Sequence, residues 1–556
     1  MSRWAQALAS RDERELMGAS LDEQIGRDHG IRVLDEFLNR VDWRPWEARY
    51  KDVMVGRPPV HPRLMCGAIL YGLVKRIDST RGLEEATRMR LDFQWLLEKR
   101  TVDHTTFSKF KKRFDGEIRD LFRAINREAA RLSKATIEEL VLDGTRLRAD
   151  SDRCGARSAA SLERRLGELE ERLQAQLESM EDGAEEELEG RAALEAELQR
   201  LELQREKLER ALEVARQRDE AKRAKDGAKA TPVRVPVSDP DASILPNKEG
   251  GYAPNYTPVV AVDSKSGMIV ASEVASGGAE AASVEPLISE AREVVEGELE
   301  RTLFDSAFAS GRNLERLAEQ DVEVYAAGEA VPCDNPAIRE DGTEAVDESL
   351  RDELPKRGGK LDRSAFLYEQ DKDCYYCPMG RTLNYDKTIR RTDAQGERTE
   401  VREYRSANCE GCALRAQCLS RKAKVRCVGR DQYQPLREAL AARTHSPAGR
   451  KIYARRAPVV EGSFGIIKSA MGIRRFTRRG LVKVRADWQW ICAAFNVRKL
   501  LMARRPHPGT VTPAGMRNTP DQGLLHNLRV LPRLPRALWA ESLLCNGLRQ
   551  YPLVAV

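Results

Sequence analysis

The chain has 556 residues, of which 41% are hydrophobic and 33% charged, and its formal net charge is +6. This length and composition fit a soluble protein of about two to four domains. No apolar run approaches the ~18 residues that span a bilayer, and the charged N-terminus lacks the apolar segment of a secretory signal, so we expect a cytoplasmic protein without a membrane partner.

The first 135 residues are predicted to be helical and to form an N-terminal DNA-binding domain. A helix with apolar spacing runs from Arg63 to Val74, and Ser79 or Thr80 is placed to cap the next one. Asp103 is placed to cap a third helix, which is basic. Helix, short turn and basic helix is the pattern of a helix-turn-helix DNA reader.

The basic helix after Asp103 has two different sides. Its apolar stripe consists of Phe107, Phe110 and Phe114. Lys109 and Lys112 lie elsewhere on the helix, and we predict that they contact DNA. The alternative is an ordinary amphipathic bundle with a solvated basic face.

Residues 137–149 are predicted to form a strand that contains Asp143, and a long helical insertion follows. Between Ser158 and Asp226 the leucines recur at steps of four and three, which predicts an antiparallel coiled-coil hairpin with Gly183 near its turn. The seam consists of Leu162, Leu166, Leu169, Leu173 and Leu177, followed by Leu194, Leu198, Leu201, Leu208, Leu212 and Ala215. A single long helix is the alternative, but it would leave this seam uncovered.

A proline-bounded linker, residues 231–246, leads back to strand patterns. The predicted elements after it are strands 256–262 and 268–274, helix 281–295, strand 301–306, helix 311–319 and strand 322–325. With the strand at 137–149 in front and a helix at Arg456–Ser469 behind, the order is three strands, helix, strand, helix, strand, helix. This order predicts an α/β protein whose catalytic core is a mixed sheet of the ribonuclease H-like fold.

Three acids take distinctive places in that order. Asp143 falls on the first strand, Asp305 at the end of the fourth, and Glu461 in the closing helix. Acids that converge from separate elements on two divalent cations are what phosphodiester chemistry requires, and hard oxygen ligands favour Mg²⁺ or Mn²⁺. Asp150 and Asp263 are rival acids, but Asp263 opens a hairpin turn, where Asp is favoured for backbone hydrogen bonding.

The segment from Arg450 to Arg505 is strongly basic. It contains fifteen Lys or Arg residues and only two acids, Glu461 and Asp487. Such a tract indicates a polyanion partner, and the alternative is a ribosome-binding or merely solubilising face. Lys468 lies seven residues after Glu461, on the same helix face, where it can meet a phosphate.

Several motifs, taken together in chain order, resemble bacterial insertion-sequence transposases of the DDE class, in the group labelled eleven eighty-two. The matching segments are Gly56–Pro62, Val102–Phe107, Leu142–Arg146, Phe304–Phe308, Arg456–Lys468, Gly472–Gly480 and Trp488–Leu500. The resemblance implies a transposase that binds terminal inverted repeats and target DNA, and that cuts and joins DNA at one active site. It also implies a homo-oligomer on DNA, with Asp143, Asp305 and Glu461 as the catalytic metal ligands.

Related transposases carry a Tyr-x2-Arg-x3-Glu-x6-Lys signature. Here Tyr453, Arg456, Glu461 and Lys468 match it with one extra residue between Arg and Glu. We assign DNA contact to Tyr453, Arg456 and Lys468, and also to Arg474 and Arg475 in the basic segment. The second acid departs from the family pattern, because Ser306-Ala307-Phe308 follows it without the usual Tyr.

Six of the eleven cysteines fall between Cys374 and Cys427. Cys374-x2-Cys377 and Cys409-x2-Cys412 have the spacing of a tetrahedral structural zinc site. Cys418 is a competing fourth ligand, and reduced, metal-free thiols are the alternative.

The predicted division is 1–135 helical DNA-binding domain, 136–150 and 231–330 core, 151–230 coiled-coil insertion, 331–445 Cys-rich insertion, 446–505 basic catalytic segment and 506–556 tail. Two alternative functions remain beside transposition: a nuclease of the same fold without strand transfer, and a DNA-binding regulator with an inactive core. A third alternative, a scaffold protein built around the coiled coil, fits the acid-poor basic segment around Glu461 poorly.

Overall fold

The computed structural model describes residues 18–50, 58–133, 137–182, 188–226, 230–246, 250–275, 277, 280–327, 337, 341–392 and 398–503. None of the helices in these ranges is long and apolar enough to cross a membrane. The predicted turn at Gly183 and the predicted tail 506–556 lie outside the described residues.

The N-terminal part is helical. Its elements are α1 (Leu21–Gln24), α2 (Gly30–Asn39), α3 (Arg44–Glu47), α4 (Pro62–Val74), α5 (Thr80–Met89), α6 (Leu91–Leu96), α7 (His104–Arg113) and α8 (Ile118–Ser133). The Ser79 side chain caps α5 by accepting a hydrogen bond from the Gly82 amide, and Asp103 caps α7 by accepting one from the Thr106 amide. Both helix starts are therefore as the sequence predicts.

The next elements, in chain order, are β1 (Glu139–Gly144), β2 (Leu147–Arg148), β3 (Ala156–Arg157), α9 (Ala159–Asp182), α10 (Leu188–Asp226), β4 (Val235–Pro236), β5 (Ser243–Pro246), β6 (Tyr252–Asp263), β7 (Ile269–Ala275), α11 (Val284–Val294), β8 (Arg301–Phe304), α12 (Gly311–Glu319) and β9 (Glu323–Ala326). The central sheet contains the path β7–β6–β1–β8–β9, and β2 and β5 also pair with β6. The β7–β6–β1 pairs are antiparallel, and the β1–β8–β9 pairs are parallel. The architecture is thus α/β with a mixed sheet, as predicted.

Both faces of this sheet are covered. Because side chains alternate along a strand, Val141 on β1 enters one hydrophobic core while Leu140 and Leu142 enter another on the opposite face. The first core continues into the N-terminal helices, and the second lies against α11 and α12. This burial explains why β1 and β6 appear as nearly continuous apolar runs.

The helical insertion is a hairpin of α9 and α10. The ion pairs Arg216–Glu163 and Arg172–Glu197 show that the two helices run antiparallel. Most of the predicted seam packs between the helices, but Leu177 is 42% exposed. Leu194 is also absent from the packed core between the helices, so the predicted seam extends beyond the packed one.

The Cys-rich region is more ordered than its sequence suggests. It contains β10 (Lys356–Arg357), β11 (Lys360–Leu361), β12 (Leu367–Glu369), β13 (Cys374–Tyr376), β14 (Thr382–Thr392), β15 (Arg398–Ser406), α13 (Arg415–Cys418) and β16 (Cys427–Asp431). Strands β12 to β16 pair in sequence order as an antiparallel sheet around a small core that includes Tyr375, Leu383 and Tyr404. The core residues come from short strands and turns spread over the region, which is why the sequence shows no regular apolar periodicity.

The C-terminal part of the described chain consists of α14 (Gln434–His445), α15 (Pro447–Tyr453), α16 (Arg456–Gly465) and α17 (Leu481–Ala503). The predicted helix Arg456–Ser469 is α-helical only to Gly465 and continues as a π-helical turn, Ile466–Ala470. Helix α17 packs against α4, α8 and β7 and buries Trp488 and Trp490. It therefore joins the N-terminal helices to the central sheet.

Candidate active site

Two of the predicted acids meet at one end of the central sheet. Asp143 lies on β1, and Asp305 directly follows the parallel neighbour β8. In the parallel pair β1–β8, Glu139 lies opposite Arg301 and Val141 opposite Leu303. Two residues further along both strands, the same register places Asp143 opposite Asp305. Parallel strands end at the same edge of a sheet, so the two carboxylates come together without any special loop.

Local hydrogen bonds orient both carboxylates. The Gly144 amide donates to Asp143 Oδ1 at 2.9 Å, and the Ala307 amide donates to Asp305 Oδ1 at 2.9 Å. The Asp143 side chain is 16% exposed, whereas that of Asp305 is 38% exposed. The pair therefore opens towards solvent on the Asp305 side.

Arg456, the first residue of α16, joins the two acids. Its Nη2 lies 3.0 Å from Asp143 Oδ1 and 3.9 Å from Asp305 Oδ2. Burial raises the pKa of Asp143, the Arg456 charge opposes that rise, and the nearby charge of Asp305 adds to it. The two acids thus repel each other and share one guanidinium as counter-charge.

A further acid, Glu280, lies beside this pair and was not predicted from the sequence. It begins a short 3-10 helix, Glu280–Ser283, between β7 and α11. A Cβ atom built on Gly144 would stand only 2.9 Å from Glu280 Oε1, so the carboxylate lies directly against the end of β1. Burial first, and then the charges of Asp305 and Asp143, raise the pKa of Glu280 to about 7.

Glu280 predicts a pH dependence of stability. A carboxyl whose pKa is raised from 4.5 to about 7 in the folded protein binds its proton more tightly there than in the unfolded chain. Stability should therefore fall as pH rises from about 4.5 to 7. Glu280→Gln should flatten this slope and stabilise the protein at about pH 7.5 by roughly 1–2 kcal/mol, after allowance for partial solvent screening.

Thermal unfolding across this pH range in a chelating buffer measures the effect. Glu285→Gln is the matched control, because Glu285 is an exposed glutamate of the adjacent helix α11. If stability changed equally with pH in the wild type and in Glu280→Gln, ionisation of Glu280 would not destabilise the folded protein.

The third predicted acid, Glu461, takes a different position. It is exposed on α16, and the structure gives it no hydrogen bond or ion pair with any residue it describes. At ~100° per residue, Glu461 lies roughly 140° around the helix from Arg456. Within the described ranges, no three His, Cys, Asp or Glu side chains are grouped closely enough to hold a metal ion.

Lys468 and Tyr453 flank α16 at its two ends. Lys468 Nζ donates to the Thr145 hydroxyl at 2.5 Å, two residues after Asp143, so its charge lies near the acidic end of β1. Tyr453 is half-buried at the end of α15 and packs against the large core. Of the predicted signature, Arg456 and Lys468 therefore lie at the end of β1, and Glu461 lies on the outer side of the helix.

Two segments of the chain match known families. Residues 376–501 match the family described as "Transposase DDE domain", and residues 19–113 match "Transposase domain (DUF772)". The resemblance to DDE-class transposases is confirmed. The comparisons with curated proteins and with solved structures gave no match.

The two matched segments cover different parts of the chain. The first contains most of the Cys-rich sheet and helices α14 to α17 up to Leu501, including Arg456, Glu461 and Lys468. The second contains α1 to α7. Asp143 and Asp305 lie between the two matches, so their assignment depends on their geometry and on the motif resemblance.

Many cations of the basic segment are neutralised by acids of the same chain. Arg455 pairs with Glu139 at 2.8 Å, Arg479 with Asp150 at 2.9 Å and Arg485 with Glu273 at 2.6 Å. Asp150, an alternative candidate for a catalytic acid, therefore has a structural role as the partner of Arg479. The other rival, Asp263, accepts hydrogen bonds from Ser266 in the β6–β7 turn, as its position in the sequence predicts.

The cations that remain on the surface are fewer than the composition suggests. Arg474 and Arg475 are exposed, and the described residues offer neither of them an ion pair. In the N-terminal domain, Lys109 and Lys112 are exposed on α7, while the third lysine of that helix, Lys111, is buried beside Asp487 at 3.4 Å. The candidate DNA surface therefore consists of these exposed cations, not of the whole basic tract.

The cysteines of the β12–β16 sheet are in two groups. Cys377, Cys409, Cys412 and Cys418 line one pocket, together with the arginines Arg381, Arg415 and Arg426. Cys374 lies on β13 one residue before Tyr375, and alternation along the strand turns it away from the core that Tyr375 enters. Cys374 therefore does not join Cys377 in the pocket, although the sequence spacing predicted that it would.

Proposed function

We propose that this transposase binds the inverted repeats at the ends of its element and cleaves and joins DNA with Asp143, Asp305 and Glu461. The observation that carries the proposal is the convergence of Asp143 and Asp305 from adjacent parallel strands, with α16 packed against β1. The strand order β7–β6–β1–β8–β9, with the first three antiparallel and the rest parallel, supports a ribonuclease H-like core.

The donor set fits Mg²⁺ or Mn²⁺. Asp143 and Asp305 supply carboxylate oxygens, which these hard cations prefer, and the more exposed Asp305 leaves the site open towards solvent. When bound, the cations would activate the attacking oxygen and stabilise the leaving oxygen. Glu461 would provide the third carboxylate from the exposed side of α16, where DNA can approach.

Arg456 and Lys468 have defined tasks in this proposal. The Arg456 guanidinium holds the two aspartates at their shared position and offers remaining N–H donors to a phosphate. Lys468 stands beside Thr145, close to the end of β1, where its ammonium can balance the charge of the scissile phosphate. The two cations thus offset the repulsion between an acidic site and a polyanion.

The exposed cations outside the site would hold the duplex in register. Arg474 and Arg475 follow α16, and Lys109 and Lys112 lie on α7 of the N-terminal domain. Such phosphate contacts fix position without reading sequence. Two element ends must be held together for joining, so we infer that a homo-oligomer acts on DNA, with the α9–α10 hairpin as one contact available between subunits.

Supercoiled plasmid that carries the element ends tests the proposal. The wild-type protein should nick or cut at the ends with Mg²⁺ or Mn²⁺, should not cut in a chelator, and should not cut a plasmid with scrambled ends. Joining of a labelled precut end to a target plasmid should follow under the same conditions. Cleavage without joining would favour a nuclease, and binding without cleavage in either metal would favour a regulator with an inactive core.

A further inference from the structure

The four-cysteine pocket is a site that DNA cleavage does not use. Cys377 follows β13, Cys409 and Cys412 lie in the loop after β15, and Cys418 ends α13. The four thiols thus come from three separate segments of the β12–β16 sheet domain. Cys377, Cys412 and Cys418 are also packed against the small core of that domain.

We propose that Cys377, Cys409, Cys412 and Cys418 bind one structural zinc ion, and that Cys374 is not a ligand. Four thiolates from two loops and a short helix are the donor set of a closed tetrahedral zinc site. This proposal goes beyond DNA cleavage and joining, and nothing in it depends on the roles of Asp143, Asp305 or Glu461.

The backbone around the cysteines has the turns that such a site requires. The Gly380 amide donates to the Cys377 carbonyl at 2.9 Å, and Gly380 has a φ of 73°. Gly411, between Cys409 and Cys412, has a φ of 67°. Glycine adopts this left-handed conformation without steric cost, and it lets each short loop turn its cysteines to the same side.

Three arginines bind the cysteine loops to one another. Arg381 donates to the Asn408 carbonyl at 3.0 Å, Arg415 to the Cys409 carbonyl at 3.1 Å, and Arg426 to the Cys418 carbonyl at 3.1 Å. Zinc with four thiolates carries a net charge of about −2, so guanidinium groups around the pocket would stabilise it. No acidic side chain is among the residues that line this pocket.

The four thiols share one small, apolar pocket whose other lining residues include three arginines. In the present side-chain conformations the four sulphurs, like every other such group in the described ranges, are not close enough together to hold a metal ion. Zinc binding would remove the thiol protons, and rotation about the single side-chain torsion of each cysteine would bring the sulphurs onto one ion.

Cys374 and Cys427 provide matched controls. Cys374 is buried on the other side of β13, and Cys427 is exposed at the start of β16. A serine at either position changes a thiol of the same domain without touching the pocket. Loss of zinc only from the four pocket variants would therefore identify ligands and not a general loss of folding.

Elemental analysis of the purified full-length protein tests the proposal. The wild type should contain about one zinc ion per chain, and Cys377→Ser, Cys409→Ser, Cys412→Ser and Cys418→Ser should each reduce this to near zero. Cys374→Ser and Cys427→Ser should retain the zinc. Cobalt substitution of the wild type should give thiolate-to-metal charge-transfer absorption and intense visible bands of a tetrahedral site, which does not require any variant to fold.

Three results would overturn the proposal. The first is a wild-type protein that takes up neither zinc nor cobalt, and the second is one that contains iron and inorganic sulphide. The third is release of zinc by Cys374→Ser while Cys418→Ser retains it, which would restore the ligand set that sequence spacing predicts. DNA cleavage is not a readout here, so failure of the proposed function would leave each of these results unchanged.

Discussion

Replacing Asp305 with Asn should reduce metal-dependent DNA cleavage by about 10³-fold or more while leaving DNA binding within a few-fold of the wild type. A metal-held site contributes several kcal/mol of transition-state stabilisation, and loss of a ligand charge removes most of it. Asp143→Asn should have the same effect, because both carboxylates share Arg456. Plasmid cleavage and end binding, measured on the same preparations, test the two variants together.

Substitutions at Glu461 and Glu280 decide which of these two glutamates is the third catalytic carboxylate. We expect Glu461→Gln to lose cleavage as completely as Asp305→Asn, whereas Glu280→Gln should retain measurable cleavage and shift its metal concentration dependence. Glu285→Gln controls for the loss of an exposed glutamate near the site. If Glu280→Gln were inactive and Glu461→Gln active, the third ligand would be the acid that already lies against Gly144.

Asp143 and Asp305 could be selected from the sequence because each follows a recognisable local strand pattern. Asp143 follows a short apolar run that is buried on both faces of the sheet, and Asp305 follows another. Once two such strands are parallel neighbours, their ends must meet, so convergence follows from topology. Helix caps at Ser79 and Asp103 were predictable for the same reason, since each involves residues within three positions.

Glu280 could not be found in this way. It approaches Gly144 across a contact between segments more than a hundred residues apart, and nothing in the residues around it marks the approach. The one indirect signal is Gly144 itself, because a glycine at the end of a strand often allows another group to come close. The π-helical turn after Gly465 was equally hidden, since its residues continue the helical pattern of α16.

The number of cations and the spacing of cysteines also leave out tertiary information. Composition counts every cation of the basic segment, but Arg455, Arg479 and Arg485 form ion pairs with acids that are distant in the sequence. The Cys-x2-Cys spacing treats Cys374 and Cys377 alike, although the end of β13 falls between them and separates their directions. In both cases the deciding fact is where a side chain points, which depends on the tertiary partner.

Asp487→Asn should destabilise the protein by about 3–5 kcal/mol, because it leaves the buried Lys111 and the partly buried Arg478 with one fewer counter-charge. Asp487 is 5% exposed in α17. Its carboxylate lies 2.8 Å from Arg478 Nη2 and 3.4 Å from Lys111 Nζ of α7. Arg478 also pairs with Asp115 at 2.7 Å, so the cluster joins the N-terminal helices to the C-terminal helix.

The same contacts decide how the contribution of Asp487 to stability changes with pH. Burial by itself would raise the pKa of Asp487, but the charges of Lys111 and Arg478 bring it below its ordinary value of 3.8. A carboxyl with a lowered pKa stabilises the fold above about pH 4 and loses that contribution as pH falls through its folded pKa. The wild type should therefore lose stability in this acid window more steeply than Asp487→Asn.

Chemical and thermal unfolding of the full-length protein, with Asp371→Asn as an exposed control, measures the loss. Adding Lys111→Met to Asp487→Asn should recover part of it, since the second change removes an unpaired buried charge and keeps the volume of the side chain. Such recovery distinguishes an electrostatic cluster from mere packing at Asp487. An Asp487→Asn protein as stable as the wild type would show instead that Asp115 alone satisfies both cations, and that α7 and α17 are held together by their apolar contacts.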